Sequence, residues 1–244
     1  MLKPIDRAVL SNQVYEQLRD EILDRQYKPG DNLPPERELC EILNVNRSSV
    51  REALKRLEQA RLIEIRQGGG IKVLDFSLHA GFDLLPWLVM PGGRVDAIAI
   101  RSILEFKLII NPEIARYAAM RIQQPELEQV GRIVDEIDDC GQDDVDRFQE
   151  LDLLFHYTMA RSSENLTFIL LYNSIKDIYE LARSFFTEMY METIRSTGGY
   201  RDVYQALCAH DADVAYARCR ELNELGNKVF WDSIKETLEH SQGE

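Results

Sequence analysis

Apolar positions recur at helical spacing in three segments of the first sixty residues. The first segment begins near Ser11, which suits a helix N-cap, and it places apolar side chains four residues apart on one face. The second begins at Pro34-Pro35, because proline is tolerated in the first turn of a helix, and runs to about Leu43. The third follows the turn at 44–46 and covers about Arg47–Gln59.

This third helix has two distinct faces. An apolar stripe follows the i, i+3, i+4, i+7 pattern of a buried surface, and it comprises Val50, Ala53, Leu54 and Leu57. Arg47, Arg51 and Lys55 fall at i, i+4 and i+8 on another face. If the stripe is buried, the cationic face must point outward.

Strand spacing follows the third helix. Residues 63–66 alternate between apolar and polar, and residues 71–73 alternate in the same way, as two paired strands would. Between them, Gln67-Gly68-Gly69-Gly70 forms a flexible turn. Helix, turn, helix and glycine-tipped hairpin in this order predict a winged helix-turn-helix over residues 1–75, an arrangement that places a helix in the major groove of DNA.

The rest of the chain has helical spacing and no second set of alternating strands. The predicted helices are Val95–Arg121, Pro125–Asp138, Asp144–Arg161, Leu166–Met191, Tyr200–Ala209 and Asp211–Leu238. Pro112 should kink or break the first of these. We therefore expect a mainly α protein, with the winged helix-turn-helix and its small β-hairpin followed by an all-α antiparallel bundle over residues 80–240.

Charge is distributed unevenly between these parts. The net charge is −13, but residues 1–75 hold 13 basic and 13 acidic residues, so the excess of negative charge lies in the predicted bundle. No apolar run is long enough to span a membrane, no signal peptide is apparent, and the four cysteines are far apart. These features predict a cytoplasmic protein with free thiols and no membrane partner.

Several residues of the N-terminal part suit contact with DNA. Arginine grips guanine or phosphate through two donors, and short hydroxyls in a first helical turn suit phosphate. A glycine tip lets the backbone approach a sugar-phosphate wall closely. The candidates are Arg37, Arg47, Ser48, Ser49, Arg51, Gly68 and Gly69. A solvated charged face is the alternative for the arginines.

These residues lie in motifs that resemble the DNA-binding domain of the GntR family of bacterial transcription regulators. The motifs are P-G-x-x-L-P-x-E-R-E-L from Pro29, N-R-S-S-V-R-E-A-L from Asn46, and the glycine-rich turn at 68–70. The resemblance implies that the seven candidates contact a near-palindromic operator in double-stranded DNA, and that the protein is a homodimer.

The helical part resembles the FadR branch of that family more weakly. The local matches are Arg101 with Glu105, L-D-L-L-F-H at 151–156, and A-L-C-A-H-D at 206–211. The branch implies an effector-binding bundle of six or seven helices that also dimerises.

Many members of that branch bind a divalent metal through an Asp-x-x-x-His pair and two further histidines. Asp152 and His156 match the pair, but Tyr200 and Leu222 stand at the other two positions, and leucine cannot be a ligand. Asp152 and His156 could therefore form a hydrogen-bonded pair, retain a remnant metal site, or contact an organic ligand directly.

Two further side chains are candidate effector contacts. Arg101 could pair with Glu105 or with an anionic effector, and Tyr200 could be an ordinary half-buried aromatic residue or could contact the effector. Aromatic residues, among them Phe82, Trp87 and Tyr172, could fill the core or line a cavity for an acyl chain.

These features predict a transcription regulator, either a repressor or an activator, whose operator affinity falls when an effector binds. No catalytic motif indicates an enzyme. The effector contacts would be Arg101, Asp152, His156 and Tyr200, and the effector an organic acid or fatty acyl-CoA bound without a complete metal site. The alternative is a metal-dependent carboxylate sensor that uses Asp152 and His156.

Overall fold

The computed structural model describes residues 7–66, 68–89, 96–141, 144–193 and 198–241. The chain divides into two compact units, Met1–Asp96 and Ala97–Glu244.

The first unit contains the helix-turn-helix and the wing. Its elements are α1 (Arg7–Leu23), β1 (Asn32–Leu33), α2 (Glu36–Ile42), α3 (Arg47–Gln59), β2 (Ile63–Arg66), β3 (Gly70–Val73), α4 (Phe76–His79), a 3₁₀ turn (Phe82–Leu84) and α5 (Leu85–Val89). The strands form an antiparallel sheet in the order β1-β3-β2, with Leu33 opposite Ile71 and Ile63 opposite Val73.

Burial in this unit follows the apolar spacing of the sequence. The predicted stripe of α3 is buried, and it packs with Leu18 and Ile22 of α1 and with the inner side chains of the sheet. Two details differ from expectation. Ser11 lies inside α1 rather than at its start, because nothing in residues 7–10 interrupts a helix, and the short strand β1 pairs with β3, which alternation over two residues could not reveal.

The segment Phe76–Val89 belongs to the first unit, although the predicted second domain began at residue 80. Trp87 on α5 explains this placement. The Arg19 guanidinium carbon lies 3.5 Å from the centroid of the Trp87 ring, and the Arg19 side chain is almost completely buried. A cation stacked on an aromatic ring and removed from water binds α5 to α1.

The second unit is helical throughout its described part. It comprises α6 (Ala97–Arg121), α7 (Gln124–Asp138), α8 (Val145–Ser162), α9 (Leu166–Thr193), α10 (Gly198–Cys208) and α11 (Ala212–Ser241). The long helix α6 continues through Pro112, so Pro112 does not break it, and the kink given as the alternative stays a prediction. Helix α6 packs against α11 and α8, α8 packs against α7 and α9, and α10 packs against α11 and α7.

The predicted fold class is confirmed: a winged helix-turn-helix with a small antiparallel wing precedes a helical bundle. None of the described helices is both long enough and apolar enough to cross a membrane.

Candidate functional site

The start of α3 is fixed by Asn46. Its side-chain Oδ1 accepts hydrogen bonds from the Ser49 amide at 2.9 Å and from the Ser48 hydroxyl at 2.5 Å. The Ser49 amide is therefore occupied, whereas the amides of Arg47 and Ser48 have no acceptor within the helix. Ser48 is exposed, but the Ser49 side chain is buried. The exposed polar groups of this first turn are thus those of Arg47 and Ser48.

The predicted cationic face of α3 points outward. Arg47 and Lys55 are exposed, and Arg51 is 62% exposed. The Arg51 Nε lies 2.9 Å from the Glu36 carboxylate on α2, and the exposed Arg37 pairs with Glu41. Exposed ion pairs of this kind contribute little to stability. These arginines can therefore exchange a carboxylate for a phosphate or a base at small cost.

The wing turn requires glycine at two positions for different reasons. Gly68 has a φ of +75°, a conformation that other residues rarely adopt. A Cβ atom on Gly69 would lie 2.9 Å from the Arg66 Cβ. Both glycines are exposed, so the backbone of the turn can approach a flat surface closely.

A second group of polar side chains lies inside the helical unit. The Asp152 carboxylate of α8 is buried, and its Oδ1 accepts a hydrogen bond from the Tyr200 hydroxyl of α10 at 2.7 Å. The His156 Nε2, one turn further along α8, lies 3.4 Å from the same oxygen. Three of the four predicted effector residues are therefore neighbours.

Arg101, the fourth, lies outside this buried group. Its side chain is 64% exposed and pairs with Glu105 at 2.7 Å. The i,i+4 spacing that suggested a role for Arg101 is the spacing of an exposed ion pair on one helix.

The structure adds a cation that the sequence did not single out. The half-buried Lys107 of α6 donates to the Tyr179 hydroxyl of α9 at 2.9 Å, and that hydroxyl donates to Oδ2 of Asp152 at 2.9 Å. Lys107 lies 45 residues before Asp152, and helical spacing gives no information about such a contact. We call Lys107, Asp152, His156, Tyr179 and Tyr200 the bundle site.

The pKa values in the bundle site are set by burial together with the neighbouring charges and hydrogen bonds. Burial opposes the charged form of Asp152, but His156, the Lys107 charge and the Tyr200 hydroxyl together outweigh burial and hold its pKa well below the usual range. Burial lowers the pKa of Lys107, although the charge of Asp152 opposes that effect. Burial, reinforced by Asp152, raises the pKa of Tyr200, so its hydroxyl remains a donor at neutral pH.

His156 has an unsatisfied atom. Its Nδ1 is buried and has no hydrogen-bond partner among the described residues, while the ring stacks on Tyr172 with centroids 6.3 Å apart. The Tyr172 hydroxyl donates to Asn111, and Asn111 donates to Asn223 at 2.7 Å. Because unpaired buried polar atoms are costly, the free Nδ1 makes His156 a candidate contact for a ligand.

The bundle site does not fit the divalent metal that the FadR resemblance implies. Both Asp152 oxygens already accept hydroxyl protons, and the Lys107 ammonium occupies the same site. At the remaining predicted ligand position, the Leu222 side chain lies against Gly199, where a Cβ atom would be 2.9 Å from Leu222 Cδ1. Among the described residues, no three His, Cys, Asp or Glu side chains are grouped as a metal site requires.

Comparison with known families now adds an independent finding. Residues 10–73 match the family described as "Bacterial regulatory proteins, gntR family", and residues 102–224 match the FCD domain, which covers half of the chain. This chain belongs to the GntR family and carries an FCD domain. The family is therefore confirmed, and these regulators bind DNA through the first domain and a small-molecule effector through the second.

Relatives that match two thirds or more of the chain agree with this assignment. The HTH-type transcriptional regulator Mce2R of Mycobacterium tuberculosis is 36% identical over 93% of both chains. The fatty acid metabolism regulator protein of Shewanella baltica is 30% identical over 68% of both chains. The solved structure of the Listeria monocytogenes regulator Lar has a TM-score of 0.60 at 17% identity, covers 95% of this chain and 99% of its own, and supports the fold alone.

The matched families and the named relatives are transcription regulators rather than enzymes. The bundle site is accordingly a candidate for binding an effector, and the exposed face of α3 with the wing is a candidate for binding DNA.

Proposed function

We propose that this GntR-family regulator is a cytoplasmic homodimeric repressor that releases its operator when a small organic acid binds to the bundle site. The observation that carries the effector proposal is the buried polar group of the bundle site, with a cation at Lys107 and an unpaired nitrogen at His156. Apolar binding sites with a few convergent polar groups are the usual form of small-molecule sites in proteins.

The polar character of the bundle site favours a small acid over an acyl chain. Tyr172 and Tyr179, which could have lined an acyl cavity, use their hydroxyls in hydrogen bonds. Phe82 and Trp87, also considered for that role, belong to the first unit. Asp152 accepts only, so the His156 Nε2 donates toward it and Nδ1 is left for another partner. A fitting effector would offer an anion and a neighbouring hydroxyl, which can donate or accept.

For DNA binding we propose that α3 enters the major groove with Arg47 and Arg51 toward the bases. The support is their exposure, together with the complete burial of the α3 stripe behind them. Ser48 and Arg37 would contact phosphates, and the Gly68-Gly69 turn would approach the minor groove. Ser49 would contribute mainly to the packing of α3, because its side chain is buried and its amide donates to the capping side chain of Asn46.

Exposed apolar side chains support the proposed homodimer. Ile98 and Ile109 lie three turns apart on one face of α6 and are 78% and 69% exposed, and Leu166 and Leu170 share a face of α9. Exposed apolar surface that is contiguous often marks contact with another protein, and a second copy fits a two-fold operator. Light scattering after size-exclusion chromatography should give a mass near twice 28.3 kDa.

The proposed mechanism is a shift between two arrangements of the bundle. The effector can act only by binding one arrangement more tightly, and operator binding must prefer the other. Fluorescence anisotropy with DNA from upstream of the protein's own gene tests both parts of the proposal. Operator binding should be tight at low salt. Hydroxy acids and dicarboxylates are then added one at a time, and the one that is the effector should weaken operator binding. Acyl-CoA is tested in the same way as the alternative ligand.

Arg47→Ala and Arg51→Ala should each weaken operator binding by roughly 1–3 kcal/mol if the two residues contact bases. Arg132→Ala, an exposed arginine of the second unit, is the matched control and should have no effect. Normal operator binding by both variants would show that α3 is not the recognition helix.

A further inference from the structure

A lysine at the centre of the bundle site is the feature that the family resemblance leaves unexplained. The ammonium of Lys107 is removed from much of the surrounding water, which is costly unless an opposite charge lies nearby. Asp152 supplies that charge through one intervening hydroxyl, that of Tyr179. The three side chains come from three different helices, so their contact is a property of the fold and not of one segment.

The hydroxyl donors of the bundle site already bind the Asp152 oxygens that a metal ion would need as ligands. Tyr179 donates to one oxygen of Asp152, and Tyr200 donates to the other. The raised pKa of Tyr200, caused by burial and by Asp152, keeps its proton in place. A divalent cation would have to displace two hydroxyl donors and lie close to an ammonium of the same charge sign.

We infer that Lys107 takes the place of the metal ion in this regulator, so that the positive charge of the effector site is a permanent part of the protein. Asp152 and Tyr179 position Lys107, and the ammonium binds the carboxylate of the effector directly. An ammonium has three N–H donors, of which Tyr179 takes one. This inference rests on the proposed effector function and specifies how the bundle site would recognise an anion.

Metal analysis of the full-length protein is the first test. The purified protein is incubated with Zn²⁺, Ni²⁺ and Mn²⁺, desalted, and measured by mass spectrometry for metal bound per chain. We expect no stoichiometric metal and no change in melting temperature with a chelator. One ion per chain in the wild type, lost in Asp152→Asn, would overturn the inference.

A double-mutant cycle tests the pairing of Lys107 with Asp152 without any ligand. Lys107→Gln and Asp152→Asn should each lower the melting temperature, because each removes an opposite charge that stabilises a poorly hydrated partner. The double variant should melt no lower than the worse single variant, since the two charges are removed together. Lys228→Gln, which changes an exposed lysine of α11, is the control and should be additive with Asp152→Asn.

Additive losses for Lys107→Gln and Asp152→Asn would show that Lys107 is not the counter-charge and would also overturn the inference. A single variant that fails to fold while the double variant folds supports the pairing. If a carboxylate releases the operator only after a metal is added, the proposed function stands and this inference fails. If no acid changes operator binding, the proposed function fails, and the metal count and the cycle still decide the role of Lys107.

Discussion

Replacing Tyr200 with phenylalanine removes one hydroxyl from the bundle site and little else. The hydroxyl donates to the buried Asp152 carboxylate at 2.7 Å, and the ring packs edge-on against Phe155 with centroids 5.1 Å apart. The ring contact survives in the variant, so the change isolates a hydrogen bond to a charged acceptor. Such a bond contributes roughly 1.5–3 kcal/mol, and the loss should not be recovered by water in a site this buried.

We therefore expect Tyr200→Phe to lower the free energy of unfolding by about 2 kcal/mol. Urea denaturation followed by circular dichroism measures it, with the slope of the transition used to check that the unfolded state is unchanged. Tyr157→Phe, on α8 and only partly buried, is the matched control and should change stability by less than about 0.5 kcal/mol. A Tyr200→Phe variant as stable as the control would refute the assignment of Tyr200 as a donor to a charged Asp152.

Three further outcomes follow from individual sites. Gly68→Ala should cost roughly 1 kcal/mol, measured by urea denaturation, because alanine at a φ of +75° is strained; an unchanged midpoint would contradict the turn geometry. Trp87→Ala should destabilise the first unit by about 2 kcal/mol or more, since it removes the ring beneath the buried Arg19 guanidinium. An unchanged melting temperature would show that Trp87 does not anchor α5 to α1. Burial raises the pKa of Cys219 to about 12. At pH 8, iodoacetamide should therefore alkylate the exposed Cys208 and leave Cys219 intact until the protein unfolds. Peptide mass mapping that finds both cysteines modified at similar rates would contradict the burial of Cys219.

Much of the winged helix-turn-helix could be predicted from the spacing of residues within single segments. The α3 stripe and the glycine turn are both encoded within residues 50–70, and the structure places them as predicted. Even there, the sequence did not show that Ser49 faces inward, because a first-turn serine can either cap, pack or face the solvent.

The bundle site also contains both residues that the sequence identified and residues that it did not. The pair Asp152–His156 was visible in the sequence because residues at i and i+4 share a helix face. The resemblance to the FadR branch pointed to Tyr200, but spacing did not point to Lys107 or Tyr179, because they come from two other helices. The exposed Arg101–Glu105 pair had the same i,i+4 spacing as Asp152–His156, so spacing alone could not show which pair is buried.

Sequence by itself determined the succession of helix-turn-helix, wing and helical bundle, the family, and the outward direction of the α3 cations, since these depend on helical period, caps and turns within single segments. The tertiary structure decided what surrounds Asp152 and to which unit the segment Phe76–Val89 belongs. The physical reason is that burial, charge compensation and stacking on a ring arise between side chains distant in sequence, and only the packed chain brings Lys107 to Tyr179 or Arg19 to Trp87.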